Sequence, residues 1–314
     1  SGTSLTKKLL SRPRLLERIK AAIHRPEMAH MVCFNVTELE KQLAETLQIP
    51  IYGCDPGLAY LGSKSGCRHL FKQLNVPLPP GFEDLTSEAD IAAALAKLKI
   101  AHPSLRKAVI KINEGFSGDG NAIYHYQSLS ADDPYLEKSI LQSLRDHTQI
   151  VASNLSYDQF MHSFQIERGI VEEFMDGVIK TSPSVQCRIN PVGVTEVIST
   201  HDQLLGGESG QIYLGATFPA DPAYSREIAL LSKPVAEELM KRGVLGRFAI
   251  DFLSVKEADG QANFVDGTNE HAICGLVRCS IYHPTDRTTA MLGALVTSMY
   301  RSVAGLGPRS MRVG

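Results

Sequence analysis

A lysine in an apolar strand, followed at once by a run of glycines, is the first place in this sequence where chemistry could be done. The stretch reads Lys111-Ile-Asn-Glu-Gly115-Phe-Ser117-Gly118-Asp-Gly120. Glycines let backbone N–H groups close around phosphate oxygens with no Cβ in the way. No Gly-Lys-Ser/Thr follows, so it is not a Walker A loop. It does not open a helix either, as a dinucleotide-binding turn would, because Ala122-Ile-Tyr-His-Tyr126 alternates like a strand. The pattern predicts a β-hairpin with a long glycine-rich tip and a lysine at its base. The plainer alternative is an ordinary flexible hairpin.

Acids and polar residues recur further along. Glu172 and Glu173 are neighbours on an expected strand, so they point to opposite faces and one of them can face a cleft; an edge-strand acid in water is the plainer reading. Asp251 interrupts the apolar strand Phe248–Leu253, where a carboxylate is costly to bury unless it is paired or ligates a cation. Asp266-Gly-Thr-Asn269-Glu270 follows. Oxygen ligands from two neighbouring strands suit Mg²⁺, while an ion pair with Arg247 or Arg278 is the alternative. Arg188, on an expected strand, could hold a phosphate or a carboxylate. His201-Asp202 could be a base pair or a substrate contact, with Gly206-Gly207 close behind. No Gly-x-Ser-x-Gly elbow is present, so no serine triad is argued.

These residues need elements to position them. Pro13 breaks or restarts an opening helix over Leu9–Ile23. Met31–Val36 reads as a buried strand. Thr37 with Glu40 is a capping box that opens a helix to about Gln48, and Ile49–Gly53 is a second strand. Residues 30–54 are therefore β-α-β. Helices are expected over Gly62–Leu74, Ser87–Lys99, Asp133–Arg145, Tyr157–Glu167, Asp221–Lys241 (around Pro234) and Thr285–Val303. Strands are expected over 108–112, 122–126, 170–174, 184–189, 194–200, 247–253 and 262–266. The proline-rich Val76–Gly81 marks a domain seam. The order predicts a mixed α/β chain with several hairpins, not a plain alternating doubly wound sheet.

Composition narrows the class. The chain has 314 residues, 43% hydrophobic and 21% charged, which is globular and long enough for about two domains. Its formal charge of −2 argues against a general nucleic-acid binder. The longest apolar stretch, near Ala290–Val296, is far short of the ~20 residues of a membrane span. No signal peptide is read in the polar start, and a cytoplasmic location is expected. The six scattered cysteines form no CxxC pair and read as buried thiols.

Taken together and in order, these features resemble the ATP-grasp ligases, and most of all the pheganomycin-type peptide ligases with their pre-ATP-grasp domain. The residues that carry the resemblance are Phe34–Glu38, Tyr52–Pro56, Gly62–Gly66, Val109–Gly118, Val171–Phe174, Ser182–Arg188, Ile198–Gln203 and Gly246–Phe252, over about residues 5–255. The resemblance implies a partial pre-ATP-grasp domain over 1–62 and an ATP-grasp domain over 63–314, with a lid lobe near 84–170 and a C-terminal lobe near 171–314. It implies ATP and Mg²⁺ as cofactors. Small-molecule carboxylate and amine substrates would be joined through an acylphosphate. No nucleic-acid or membrane partner is implied, and homo-oligomerisation is left open.

The same resemblance assigns roles. Lys64 and Lys111 would contact the ATP phosphates. Gly115, Ser117, Gly118 and Gly120 would belong to a lid loop, mobile without nucleotide. Glu172, Glu173 and Phe174 would meet the adenine. Asp251, Asp266 and Asn269 would hold magnesium, and Arg188 would steady the transferred phosphate. His201, Asp202 and Gly207 would meet substrate. Where the family usually carries Glu-x-Asn, this chain has Gly267-Thr-Asn269, with Asp266 displaced by one position. That departure keeps a second expectation alive, an ATP-grasp-derived nucleotide-binding or regulatory protein without turnover.

Overall fold

The computed structural model describes residues 3–33, 36–114, 120–175, 177, 179–206, 212–256 and 272–281. The chain divides into two compact units, residues 1–56 with 281–314, and residues 57–280.

In the first unit, α1 (Leu5–Leu10) and α2 (Pro13–Ala22) are separated where Pro13 takes the first helical position, as the sequence predicts. β1 (Met31–Val32) and β2 (Ile51–Tyr52) pair in parallel on either side of α3 (Glu38–Leu47). Both halves of the Thr37–Glu40 capping box form. Leu16, Leu43 and Leu47 make a small core with Leu9, Leu10 and Ile19. The expected β-α-β unit is present, with strands shorter than expected. Phe34 and Asn35 lie outside the described residues.

The second unit carries two sheets. The first has the order β3-β7-β4-β5-β6. Its strands are β3 (Gly81–Leu85), β4 (Lys107–Ile112), β5 (Asn121–His125), β6 (Thr148–Ile150) and β7 (Gly169–Glu173). Four helices accompany them: α4 (Lys64–Gln73), α5 (Glu88–Ala101), α6 (Leu136–His147) and α7 (Tyr157–Glu167). Side chains alternate across a strand, so the sheet has an apolar and a mixed face. Ala108, Ile110, Ile112, Tyr124 and Val171 join Ile91, Leu95, Ile140, Phe160 and Phe164 in one buried core. Lys111, Val109, Ile123, Ile170 and Glu172 alternate onto the other face, and α4 packs against β3 and β7.

The second sheet has the order β10-β9-β8-β11-β12. It comprises β8 (Ile179–Ile189), β9 (Thr195–Gly206), β10 (Ile212–Thr217), β11 (Gly246–Lys256) and β12 (Ala272–Ile281). Helix α8 (Ser225–Lys241) packs on β8 and β9 and continues through Pro234. Val185, Cys187, Phe248, Ile250 and Phe252 are fully buried on one side of this sheet. Ser182, Ser184, Gln186 and Asp251 alternate onto the other.

Several expectations need correction. The proline stretch Val76–Gly81 is not the seam; it lies within the second unit and leads into β3. Helix α6 starts at Leu136 and α8 at Ser225, each later than predicted. In both cases the aspartate side chain accepts a backbone N–H two residues on, Asp133 from Tyr135 and Asp221 from Ala223. The Asp-Pro pair thus forms a turn ahead of the helix instead of its cap. Strands β8, β9 and β11 run longer than expected, and β3, β6, β10 and β12 were not anticipated. The strand expected at 262–266 and the helix at 285–303 lie outside the described residues.

Candidate functional site

Lys111 stands at the end of β4, just before the glycine-rich stretch, on the sheet face away from the core. Register sets Val109 opposite Glu172 and Lys111 opposite Ile170, so lysine and glutamate share that face. The Lys111 ammonium donates to Glu172 Oε1. The other oxygen of Glu172 accepts from Arg68 Nη1 at 2.9 Å. Arg68 is fully buried; its Nε donates to Glu83 Oε1 at 2.6 Å and its Nη2 to the Pro79 carbonyl at 2.9 Å. Glu83 also accepts from Lys72 at 2.7 Å. Burial alone would push the Glu172 carboxyl up, but the Lys111 and Arg68 charges outweigh it and hold it below the usual range.

Lys64 is the first residue of α4, after the cap Ser63. Its ammonium is buried and donates to the carbonyls of Ile112 at 2.6 Å and Asn113 at 3.3 Å. Ser65 completes the joint, its N–H and hydroxyl donating to Asn113 Oδ1 at 3.0 and 2.8 Å. The helix start is thereby fastened to the root of the glycine hairpin. Gly120 closes that hairpin by accepting from Ile112 N at 2.9 Å; Gly115, Ser117 and Gly118 lie outside the described residues. Glu173 points to the face opposite Glu172, and burial raises its carboxyl against the pull of His102. Phe174 follows the strand, with the ammonium groups of Lys180 at 4.5 Å and Lys107 at 5.4 Å from its ring.

On the second sheet, one row of the register runs Asp251–Ser184–His201 across β11, β8 and β9. Directly paired residues share a face, and Ser199, two residues from His201, shares it too. Ser184 Oγ, Ser199 Oγ and His201 Nδ1 are buried without a hydrogen-bond partner. Buried polar atoms are almost always satisfied, so three such atoms on one patch of sheet mark a place for a polar ligand or ordered water. His201 stacks on Phe218, with ring centroids 4.8 Å apart. Burial lowers its pKa from 6.5 against the opposing charges of Asp251 and Asp202, which favours the neutral ring. Arg188, at the end of the same face, pairs with Glu196, Nε to Oε2 at 2.6 Å.

Asp202 is engaged by hydrogen bonds within the fold. It accepts from Tyr224 Oη at 2.6 Å and Asp221 N at 2.8 Å, which ties β9 to the turn before α8. Strand alternation turns it away from the face that carries His201. Gly207, Asp266 and Asn269 lie outside the described residues, so Asp251 is the expected magnesium ligand that the structure places. Among the described residues no cluster of three or more His, Cys, Asp and Glu forms a metal cage. A carboxylate on the same face as the unsatisfied Ser184 and Ser199 hydroxyls suits a cation whose remaining ligands come from waters and phosphates, which is how Mg²⁺ is commonly held.

Sequence reasoning missed Arg68, Glu83, Ser184 and Ser199 as members of these sites. The spacing of Lys64 and Arg68 was the available signal, since residues four apart share a helix face. Ser184 and Ser199 lie inside expected strands, but only the pairing of β8 with β9 brings them beside His201, and that register is a long-range fact.

Two α+β sheets, one bearing a lysine at a glycine hairpin and one bearing an acid on a polar face, define the ATP-grasp class of protein. The family described as "IQCH-like, ATP-grasp" matches residues 56–140 and 131–269. The chain belongs to that family. Its superfamily is the one the sequence resembled; within it, the matching family is the IQCH-like one. The chain is 26% identical over 269 residues to IQ motif-containing protein H of Danio rerio, covering 77% of this chain and 25% of that one. It is 28% identical over 249 residues to an L-propargylglycine–L-glutamate ligase of Streptantibioticus cattleyicolor, covering 77% of this chain and 48% of that one. The chain thus spans about a quarter and about half of these relatives. The biotin carboxylase domain of Hydrogenobacter thermophilus 2-oxoglutarate carboxylase, solved with MgADP, shares the fold. Its TM-score is 0.58 at 15% identity, over 99% of this chain and 60% of that one.

Proposed function

We propose that this chain is the ATP-using part of a carboxylate–amine ligase. The observation that carries the reading is Lys111, held by a buried glutamate on a polar sheet face at the root of a glycine hairpin. Phosphoryl transfer needs positioning and charge neutralisation more than covalent help, and this arrangement offers both. Lys111 meets the nucleotide phosphates, and the hairpin Gly115–Gly120 covers them. Lys64 acts one step away, by holding the carbonyls at the hairpin root. Phe174 and the backbone around it form the base-binding edge, beside Glu172 and Glu173.

On the other sheet, Asp251 is the magnesium ligand, assisted by Asp266 and Asn269, and bound magnesium would neutralise phosphate charge there. Arg188 attends the transferred phosphoryl group, and the Ser184–His201 patch with Gly207 contacts substrate. A substrate carboxylate oxygen attacks the γ-phosphorus and ADP leaves. The amine nitrogen then attacks the acyl carbon of the acylphosphate, inorganic phosphate leaves, and the nitrogen loses a proton. Support comes from the family membership and from the likeness to the propargylglycine–glutamate ligase.

The test is ADP release with Mg²⁺ and pooled amino acids and small carboxylates. Release that depends on both an acid and an amine supports the ligase. The second reading, a nucleotide-binding protein without turnover, rests on Gly267 standing where the family usually has a glutamate. ATP binding with no ADP from any pool would install it.

A further inference from the structure

We infer that Arg68 is a positioning residue for nucleotide binding, holding the Glu172 carboxylate so that Lys111 can leave it for a phosphate oxygen. The inference rests on the proposed ATP site and adds a residue to it that contacts no nucleotide. Lys111 and Glu172 form an ion pair in which the carboxylate is buried and the lysine nearly so, with side-chain exposures of 2% and 13%. A lysine engaged this way is drawn two ways when ATP arrives. If Glu172 had no other cation, the departure of Lys111 would strand a buried charge, and that cost would oppose binding.

Arg68 supplies the second cation. It reaches the Glu172 oxygen that Lys111 does not use, so its bond to the carboxylate does not depend on the lysine. Its own position is fixed from three directions, by Glu83, Glu172 and the Pro79 carbonyl. A planar fork can satisfy such a set; a single ammonium cannot match it. The other candidate cation, Lys64, has its ammonium on the carbonyls of Ile112 and Asn113. Gly81 lets the fork approach, since a Cβ there would lie 2.8 Å from Arg68 Nη2.

The experiment measures Mg-ATP and adenosine affinities by calorimetry for wild type, Arg68→Lys, Lys111→Ala and the double variant Arg68→Lys with Lys111→Ala. Adenosine lacks the phosphates that Lys111 would meet. Arg68→Lys is expected to weaken ATP about 10-fold, roughly 1.4 kcal/mol, and adenosine no more than about 2-fold. With Lys111 gone there is no lysine to release, so adding Arg68→Lys to Lys111→Ala is expected to weaken ATP by no more than about 2-fold. Equal weakening of ATP and adenosine would make Arg68 merely structural and overturn the inference. So would an unchanged Arg68→Lys, or the same roughly 10-fold loss in the Lys111→Ala background. A wild-type chain that binds no ATP overturns the proposed function and this inference together; intact wild-type binding with an unaffected Arg68→Lys overturns the inference alone.

Discussion

At the scale of single residues, the cost of removing Lys111 separates into two parts. Lys111→Ala deletes the proposed phosphate contact and also half the compensation of a buried glutamate. ADP release is expected to fall about 100-fold, the usual loss when one stabilising donor is taken from a phosphoryl- or acyl-transfer site. Stability is expected to fall as well, by about 1–3 kcal/mol, since Arg68 still pairs with Glu172. Adding Glu172→Gln should restore the denaturation midpoint and leave turnover low. Recovery of turnover would mean that the lysine serves the glutamate and not the nucleotide. His201 gives a second residue-scale prediction. Its pKa is lowered from 6.5 chiefly by burial, so as pH falls below about 6.5 the unfolded chain takes up a proton that the native chain refuses. Stability must therefore decline on acidification through that window. Urea midpoints at about pH 7.5 and about pH 5.5 should differ less for His201→Gln than for wild type. An equal decline in both would assign the pH dependence to other groups.

At the scale of elements, local signals were legible and long-range ones were not. The Pro13 break, the Thr37–Glu40 box, the hairpin of β4 and β5, and α7 follow from patterns only a few residues long. They came out as the sequence predicts. Strand β3 was missed because Gly-Phe-Glu-Asp-Leu has no apolar alternation; its acids are satisfied by α4, through Arg68 and Lys72 to Glu83 and through His69 to Asp84. The outer half of β9 was missed because His201-Asp202-Gln203 is polar on both faces, and its pairing to β8 and β10 is a long-range fact. The same holds for the site, where Lys111, Glu172 and Asp251 stood out as charges among apolar neighbours and Arg68 did not. The meeting of β3, β7 and α4 can be probed at Gly81, which the register pairs with Glu172. A Cβ at that position would lie 2.5 Å from the Val171 carbonyl and 2.9 Å from Glu172 Cα. Neither is the end of a flexible side chain, so β3 must shift. Gly81→Ala is expected to lower stability by about 1–3 kcal/mol, the range for overpacking, and to weaken ATP binding with it. A variant with the wild-type midpoint would show that β3 yields without cost.

At the scale of the whole molecule, the division into two units decides what a bound nucleotide can stabilise. Every site residue that the structure describes, from Lys64 to Asp251, falls in residues 57–280. The first unit has its own small core around Leu16, Leu43 and Leu47 and contributes none of those residues. A ligand stabilises only the state that binds it, by about 2.7 kcal/mol at 100 times its dissociation constant. Where two units open independently, that gain is confined to the one holding the site, and amide exchange through its global opening slows about 100-fold. Mg-ATP is therefore expected to protect amides of β4, β5, β7, β8, β9 and β11, and to leave those of α1, α2 and α3 unchanged. Hydrogen exchange read by peptide mass spectrometry distinguishes these regions. Equal protection in α3 would mean that the two units open together. Protection of the first sheet without the second would place the nucleotide on the Lys111 face alone and remove Asp251 from the metal site. The second result bears most directly on catalysis, because phosphoryl transfer needs the cationic face and the acidic face to act on one phosphate group.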